Sequence, residues 1–300
     1  MFSKLKSLTN FNKLNSFQKF ATKGCKNNLN SSTTGTGFSY LKLGLFGAGA
    51  TGLIALTYQA GANRDEQLKS YLYSGQTVSA QVTTERVKNT MAYFAGGLCM
   101  TSFLTLSMTK SPKVMGVAMK LAQRPIMCFA LSLASFIVPL IGMSLPNTKE
   151  NFAAKHVCWL LFNGAISFSI CPLIYMTGFA MASEAALLTG GAVGGLGYVA
   201  YMSKNDAFLG LNGFLSAGMG VMVAASLGSM LFNSPIMHNI WLYGGLALFM
   251  AYVLYDVNKI KIKAERAVAF DPLRESVSIY MDTINIFVRI LMILQNRKQK

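Results

Sequence analysis

The chain has 300 residues, of which 52% are hydrophobic and only 13% are charged. Soluble globular proteins carry roughly 25% charged residues, so this composition excludes a disordered tail protein and argues against a soluble enzyme. The charges are unbalanced, with 27 Lys and Arg against 11 Asp and Glu. Because these bases stand at the ends of apolar runs, we interpret them as signals of membrane orientation rather than of nucleic-acid binding.

The N-terminal segment is basic and free of acids: residues 1–64 hold eight Lys or Arg and no Asp or Glu. A basic, acid-free segment rich in Ser and Thr is typical of a mitochondrial transit peptide. We predict such a peptide over residues 1–38, with a disordered basic tail as the alternative. The same residues contain no long apolar core, which argues against a secretory signal peptide.

Apolar windows recur along the rest of the chain. About 20 consecutive apolar residues cross a bilayer as a helix. Because lipid offers no partner to backbone polar groups, helices are the expected structure, and the runs are longer than the strands of a β-barrel. We therefore predict an all-α integral membrane protein with eight transmembrane windows: 40–60, 91–109, 125–145, 157–179, 185–202, 207–232, 237–256 and 276–295.

The polar connector 61–90 divides these windows into two parts, a lone N-terminal transmembrane helix at 39–60 and a seven-helix membrane domain at 91–300. The 110–124 connector carries four bases and no acid, so the positive-inside rule places it and both termini on the matrix side of a mitochondrial membrane. The basic 257–275 loop conflicts with strict alternation. Either the segment 276–295 does not fully cross, or the rule fails there.

Glycine patterns occur in two places. In lipid, small residues four apart let helix backbones approach closely, and we predict tight helix packing around residues 190–229, with a pore or hinge as the alternative. A GxGxxG pattern at Gly47, Gly49 and Gly52 lies inside an apolar window rather than after a strand, so we interpret it as packing and not as a dinucleotide site. The first pattern comprises Gly190, Gly191, Gly194, Gly195 and Gly197, and it continues with Gly210, Gly213, Gly218, Gly220 and Gly228.

Catalytic and metal-binding motifs are not indicated. The five cysteines are odd in number and include no CxxC, and the two histidines, His156 and His238, are far apart in the chain. No spacing typical of a zinc site, a catalytic triad or a metalloprotease occurs. We predict that the protein is not an enzyme and that it binds no cofactor.

Four polar residues of the last window share one helical face. Ser278, Asp282, Asn285 and Arg289 are separated by four, three and four positions, which aligns them along one side of a helix. A polar stripe of this kind must face the bundle interior or a water-filled cavity. The stripe is either an ion or proton site with Asp282 as the exchangeable group, or a structural device in which Asp282 and Arg289 neutralise each other.

Asp256 stands at the end of the preceding window. A helix C-terminus disfavours an anion, although Lys259 and Lys263 would offset this, and a solvated carboxylate at the helix end is the alternative. If the last two segments pack antiparallel, Asp256 and Asp282 can face each other. Two carboxyls in a low-dielectric site share a proton at lower pH and bind a hard cation such as Ca²⁺ when ionised. We predict this pair as an ion and proton site that holds Ca²⁺ transiently.

Three stretches near the C-terminus resemble the signature of the Bax inhibitor (TMBIM) family, and within it the mitochondrial branch. They are residues 254–260 (LYDVNKI), 270–272 (FDP) and 278–287 (SIYMDTINIF). The resemblance covers about 85 to 300. Further matching residues lie at 86–88, 93–96, 155–156, 159–161, 194–196 and 226–230.

The resemblance implies a seven-helix bundle with an extra N-terminal helix in the mitochondrial inner membrane. It implies a cation leak or Ca²⁺/H⁺ exchange gated by two aspartates, which match Asp256 and Asp282, and a link to cristae organisation. The family often has Thr-Gln after the first aspartate, where this chain has Val257 and Asn258. The predicted partners are the lipid bilayer, Ca²⁺ and H⁺ as transported ions, and an inner-membrane protein complex, without nucleic acid. The alternative function is a non-transporting accessory or structural subunit of a larger inner-membrane complex.

Overall fold

The structure is a computed structural model, and its described residues are helical, with no strand among them. The predicted transit peptide and most of the windows 40–60 and 125–145 lie outside these residues. The residues that the structure describes are 77–122, 150–204, 207–208, 210–232 and 235–298, with positions 54–55, 57–61, 63–64, 66–70, 139, 141–143 and 145.

Six segments of the described chain are long and apolar enough to cross a membrane: α1, α3, α4, α5, the continuous stretch from α6 through α7, and α8. This confirms the predicted all-α membrane fold, and the window 276–295 lies in a helix of sufficient length to cross. The helices are α1 (Ala80–Lys110), α2 (Pro112–Ala122), α3 (Phe152–Thr177), α4 (Phe179–Met202), α5 (Leu211–Phe232), α6 (Pro235–Asn239), α7 (Gly245–Arg266) and α8 (Pro272–Lys298), with a π-helical turn (Ile240–Gly244) between α6 and α7.

Helix α7 extends well beyond the apolar window that predicted it. The expectation that Asp256 ends a helix is wrong, because α7 continues to Arg266. The lysines that suggested a loop are held by neighbouring helices. Lys261 Nζ donates to two backbone carbonyls at the end of α4, and Lys263 Nζ lies 2.7 Å from Glu275 Oε1 of α8. Charges that find partners in this way do not force the chain out of the helix. Helix α1 similarly begins at Ala80, inside the predicted connector 61–90.

Helices α7 and α8 pack antiparallel at the centre of the described bundle. Lys263 contacts Glu275 and, one turn earlier on α7, Lys259 contacts Ser278, so the numbering rises along one helix as it falls along the other. Both helices also contact α1 and α4. Small buried residues of α4 permit this close approach, and apolar side chains of all three helices form one cluster that includes Ala182, Ala185, Val193, Ala200, Phe249, Val253, Val257, Ile260, Ile279, Ile286 and Leu291.

One end of the bundle, which we call the hairpin end, surrounds the turn between α7 and α8 at residues 267–271. Arg86 of α1 donates to the carbonyls of Ala264 and Ala267, and its guanidinium lies 5.5 Å from the ring centroid of Phe270. Lys155, in the first turn of α3, is buried and forms an ion pair with Asp271. These contacts fasten the beginnings of α1, α3 and α8 to the end of α7.

The glycine packing predicted around residues 190–229 occurs in part of that range. A Cβ placed on Gly190, Gly191, Gly194 or Gly195 would meet no described atom within 4 Å, so these positions do not pack tightly against the described helices. Close approach occurs on α5, inside the same predicted range. There, a Cβ on Gly218 would lie 2.6 Å from Cδ1 of Leu248. Glycine spacing shows which positions share a face, but it does not show whether that face meets another helix.

Arg289 of α8 is buried between two aromatic rings. Its guanidinium carbon lies 4.6 Å from the ring centroid of Phe249 and 5.0 Å from that of Trp241. Nη1 donates to the backbone carbonyl and the side-chain oxygen of Asn285, and Nε donates to the carbonyl of Trp241 in the π-helical turn. Gly245 leaves the necessary space, since a Cβ at this position would lie 2.8 Å from Nη2 and closer still to Nε.

We expect Gly245→Ala to destabilise the protein by about 1–3 kcal/mol, the usual cost of overpacking a filled site. The added methyl group would push the guanidinium away from the Trp241 carbonyl and the two rings. The matched control is Gly190→Ala, which adds the same group to a helix where no described atom is near. Thermal unfolding of the detergent-solubilised protein measures both, and equal midpoints for the two variants would contradict the prediction.

We expect Asp271→Asn to cost about 3–5 kcal/mol, because it leaves the buried ammonium of Lys155 without its counter-charge. The side chain of Lys155 is only 2% exposed. Asn at position 271 retains an oxygen to accept the Arg274 backbone N–H, so the helix cap is preserved and the variant isolates the loss of the ion pair.

The double variant Lys155→Met/Asp271→Asn should recover most of this loss, because no charge is then left unpaired. Glu184→Gln on the exposed face of α4 serves as the control for removal of an acid. If the double variant unfolds at the same temperature as Asp271→Asn alone, the ion pair is not the cause of the destabilisation.

Candidate ion site between the last two helices

The structure brings Asp256 and Asp282 together. Both side chains are buried, with 5% of each residue exposed, and the two carboxyl groups are close enough to interact electrostatically. Asp282 Oδ2 has no hydrogen-bond partner among the described residues. An ionised carboxylate only accepts hydrogen bonds. A hydrogen bond between these two groups therefore requires that one of them carries a proton.

The pair lies deep in the bundle. Asp256 is ten residues before the end of α7, and Asp282 is ten residues after the start of α8. A helix rises 1.5 Å per residue, which places both carboxyls about 15 Å from the hairpin end. The hydrocarbon core of a bilayer is about 30 Å thick. Asp282 is thus well inside α8, and antiparallel packing places Asp256 at the same level of the bundle.

Lys259 is the cation of this site. Its Nζ lies 2.5 Å from Asp256 Oδ1 and 3.4 Å from Ser278 Oγ, and 20% of its side chain is exposed. From the sequence alone, Lys259 is expected only to offset the unfavourable helix dipole at Asp256. Asp and Lys three positions apart on one helix are neighbours, so the spacing contains this contact. It was missed because the helix was expected to end at Asp256.

The polar stripe on α8 forms two separate clusters. Ser278 and Asp282 belong to the carboxyl pair, whereas Asn285 binds Arg289. Arg289 takes part in none of the ion pairs found among the described residues, and it lies about 10 Å along the axis from Asp282 by helix geometry. The alternative in which Asp282 and Arg289 neutralise each other is therefore wrong.

Two further features define the surroundings of the pair. Tyr252, one turn before Asp256, interacts electrostatically with both carboxyls and lies near Ser216 of α5. The two residues that depart from the family pattern, Val257 and Asn258, contact α4 and the residues that directly follow it. Val257 packs near Gly197, and Asn258 donates to the carbonyl of Lys204.

The pair supplies few ligands for a resident metal. No group of three or more His, Cys, Asp or Glu side chains that could hold a metal ion occurs among the described residues. Ca²⁺ takes six to eight oxygen ligands, so two carboxylates suit a partly hydrated ion in transit better than a tightly held one. His156 is engaged in contacts with Tyr93 Oη and the carbonyl of Phe152.

A second concave site lies at the hairpin end. It is a pocket of about 510 Å³ whose lining includes Tyr93, Lys155, His156, Trp159 and Asp271. Its buried ammonium and its carboxylate already neutralise each other. The pocket therefore presents aromatic and hydrogen-bonding surface and little net charge, and it is less suited to a cation than the pair on α7 and α8.

Comparison with known proteins identifies the family. The sequence model described as "Inhibitor of apoptosis-promoting Bax1" matches residues 83–299. Growth hormone-inducible transmembrane protein of Rattus norvegicus is 31% identical over 267 residues, which cover 84% of this chain and 75% of that protein. Bax inhibitor 1 of Bos taurus is 31% identical over 137 residues, 45% of this chain and 53% of that protein. Bax inhibitor 1 of Arabidopsis thaliana is 27% identical over 130 residues, 43% of this chain and 49% of that protein.

The matched region agrees with the resemblance drawn from the sequence, which begins near residue 85. It includes every helix from α2 to α8 and nearly all of α1, so both carboxyls of the candidate site lie inside it. The chain is a multi-pass membrane protein that belongs to the Bax inhibitor family.

Proposed function

We propose that this protein is a pH-sensitive cation (Ca²⁺/H⁺) channel or exchanger of the mitochondrial inner membrane, and that it acts through the carboxyl pair Asp256 and Asp282. The observation that carries the proposal is the proximity of two buried carboxyls deep in the bundle, with Asp282 Oδ2 lacking a hydrogen-bond partner among the described residues. Ionisable groups inside a membrane are costly to keep. Two of them close together are suited to hold a proton or a cation and to release it.

The charge of the site changes with pH in one direction. When the two carboxyls share a proton, their single negative charge is balanced by Lys259, and the three groups are neutral together. When that proton leaves as the pH rises, the three groups carry one net negative charge, which attracts a cation. Three other charged or titratable groups lie near them. Glu275 interacts electrostatically with Lys259. Tyr252 interacts with both carboxyls and with Arg64. Ca²⁺ flux should therefore increase as the pH rises.

We expect Asp282→Asn to abolish the pH dependence of Ca²⁺ flux. The wild-type protein in proteoliposomes should show flux that rises by up to about ten-fold per pH unit, the slope for one proton exchanged. With Asn at position 282, the second carboxyl is absent and the ion pair of Asp256 with Lys259 has no net charge, so loss of the shared proton can no longer make the site negative. Measurement with an entrapped Ca²⁺ indicator over a series of buffers gives the slope directly.

Asp256→Asn should have the same effect, since coupled groups titrate as a unit. Glu184→Gln, which removes an exposed acid of α4, should retain the wild-type slope. If both aspartate variants show the flux and pH response of the wild type, the pair is structural. The protein would then fit the alternative, a non-transporting accessory or structural subunit of an inner-membrane complex, in line with the suggested link to cristae organisation.

We also propose a mitochondrial location, which is supported by the acid-free basic N-terminus and by the resemblance to the mitochondrial branch. Residues 1–38 fused to a fluorescent reporter should direct it to mitochondria, because import recognises basic segments without acids. The matched control replaces the six lysines of this segment with Gln. Retention of the unmodified fusion in the cytosol would contradict the location.

A further inference from the structure

We propose that Lys259 is the resident cation of the carboxyl pair: its ammonium occupies the position that Ca²⁺ must take, and it sets the affinity of the site by competing for it. This inference rests on the proposed function and assigns the regulation of that site to a residue of the chain itself. It is carried by the contact of Lys259 Nζ with Asp256 Oδ1 at 2.5 Å.

Lys259 and Ca²⁺ cannot both sit close to the same carboxylate without strong repulsion. A Ca²⁺ ion binds carboxylate oxygen at 2.3–2.6 Å, which is the distance at which the ammonium now stands. The site is largely shielded from solvent, so the repulsion between a divalent ion and the ammonium is weakly screened. Binding of the ion therefore requires that Nζ moves away from Asp256.

A place for the displaced ammonium exists one turn closer to the hairpin end. Nζ is already 3.4 Å from Ser278 Oγ, and Glu275, three residues before Ser278 on α8, attracts Lys259 electrostatically. The four-carbon stem of lysine carries its charge flexibly. Glu275 is at present the partner of Lys263 at 2.7 Å, and its carboxylate can accept hydrogen bonds from both ammonium groups.

Movement of Lys259 between Asp256 and Glu275 thus couples two states of the site. With the ammonium on Asp256 the cation position is filled by the protein, and the pathway holds no Ca²⁺. With the ammonium on Ser278 and Glu275 the carboxyl pair is available to the ion. Lys259 therefore acts as a positioning residue, because the place of its ammonium determines how strongly the carboxyl pair binds Ca²⁺.

The test is the Ca²⁺ concentration that gives half-maximal flux in proteoliposomes. Lys259→Gln should lower this concentration by about ten-fold, within the range typical of coupling between two ligands, because the competitor is removed. Glu275→Gln should raise it, since the ammonium loses its alternative acceptor. Lys259→Arg keeps the positive charge, so its half-maximal Ca²⁺ concentration should remain close to that of the wild type. The control is Lys261→Gln, which removes a charge from the same helix where the side chain faces α4 carbonyls.

A second measurement makes the test independent of transport. Ca²⁺ that binds the folded protein raises its unfolding temperature, and Lys259→Gln in detergent should show this shift at lower Ca²⁺ than the wild type. Unchanged half-maximal concentrations and thermal shifts in both Lys259→Gln and Glu275→Gln overturn the proposal.

The two proposals fail in different ways. If the wild-type protein shows pH-dependent flux that Asp282→Asn abolishes, while Lys259→Gln behaves like Lys261→Gln, only the role of Lys259 is wrong. If no variant carries flux but Lys259→Gln gains a Ca²⁺-dependent thermal shift, the site binds Ca²⁺ under the control of Lys259 and the transport function is wrong. If Lys259→Gln does not fold, the opposite shift expected for Glu275→Gln decides the question.

Discussion

The antiparallel packing of α7 against α8 determines which charges share the interior of this bundle. A buried carboxyl or ammonium is tolerated only where a partner offsets its loss of hydration. Along this one interface Lys263 finds Glu275, Lys259 finds Asp256 and Ser278, and the two aspartates find each other. The side chains of these pairs become less exposed from the hairpin end toward the middle of the bundle. Opposite charges pair at the outer positions, and the two acids lie at the deepest one.

The sequence contains the candidate site almost completely, for a physical reason. Residues on one face of a helix are fixed by a constant period, so the stripe on α8 could be assigned before any fold was known. The prediction that Asp256 faces Asp282 needed only one further assumption, which is that the last two segments, joined by a turn, pack antiparallel. The role of Lys259 could not be predicted without knowing where α7 ends. Helix ends depend on tertiary partners, such as the carbonyls that accept hydrogen bonds from Lys261.

Other features depend on contacts that no single segment specifies. The glycines of α4 and α5 have similar spacing, yet among the described residues four of the α4 glycines meet no neighbour whereas Gly218 and Gly220 of α5 lie against one, because the rotation of each helix about its axis is set by the whole bundle. The partners of Arg289 were likewise hidden. Its charge suggested an acid, but aromatic rings and backbone carbonyls satisfy it instead, and such partners leave no complementary charge in the sequence to search for.

The π-helical turn between α6 and α7 changes the phase of the helix that contains it. In a straight α-helix Trp241 and Phe249, eight positions apart, would be rotated by about 80° from each other at 3.6 residues per turn. A turn closed by i→i+5 bonds takes up one additional residue, so the two rings are spaced like residues seven apart and face nearly the same direction, about 20° from alignment. Both can then flank one guanidinium. The additional residue thus sets the rotation of α7 relative to the turn before it. The position of both rings against Arg289 depends on that residue remaining in the π-helical turn.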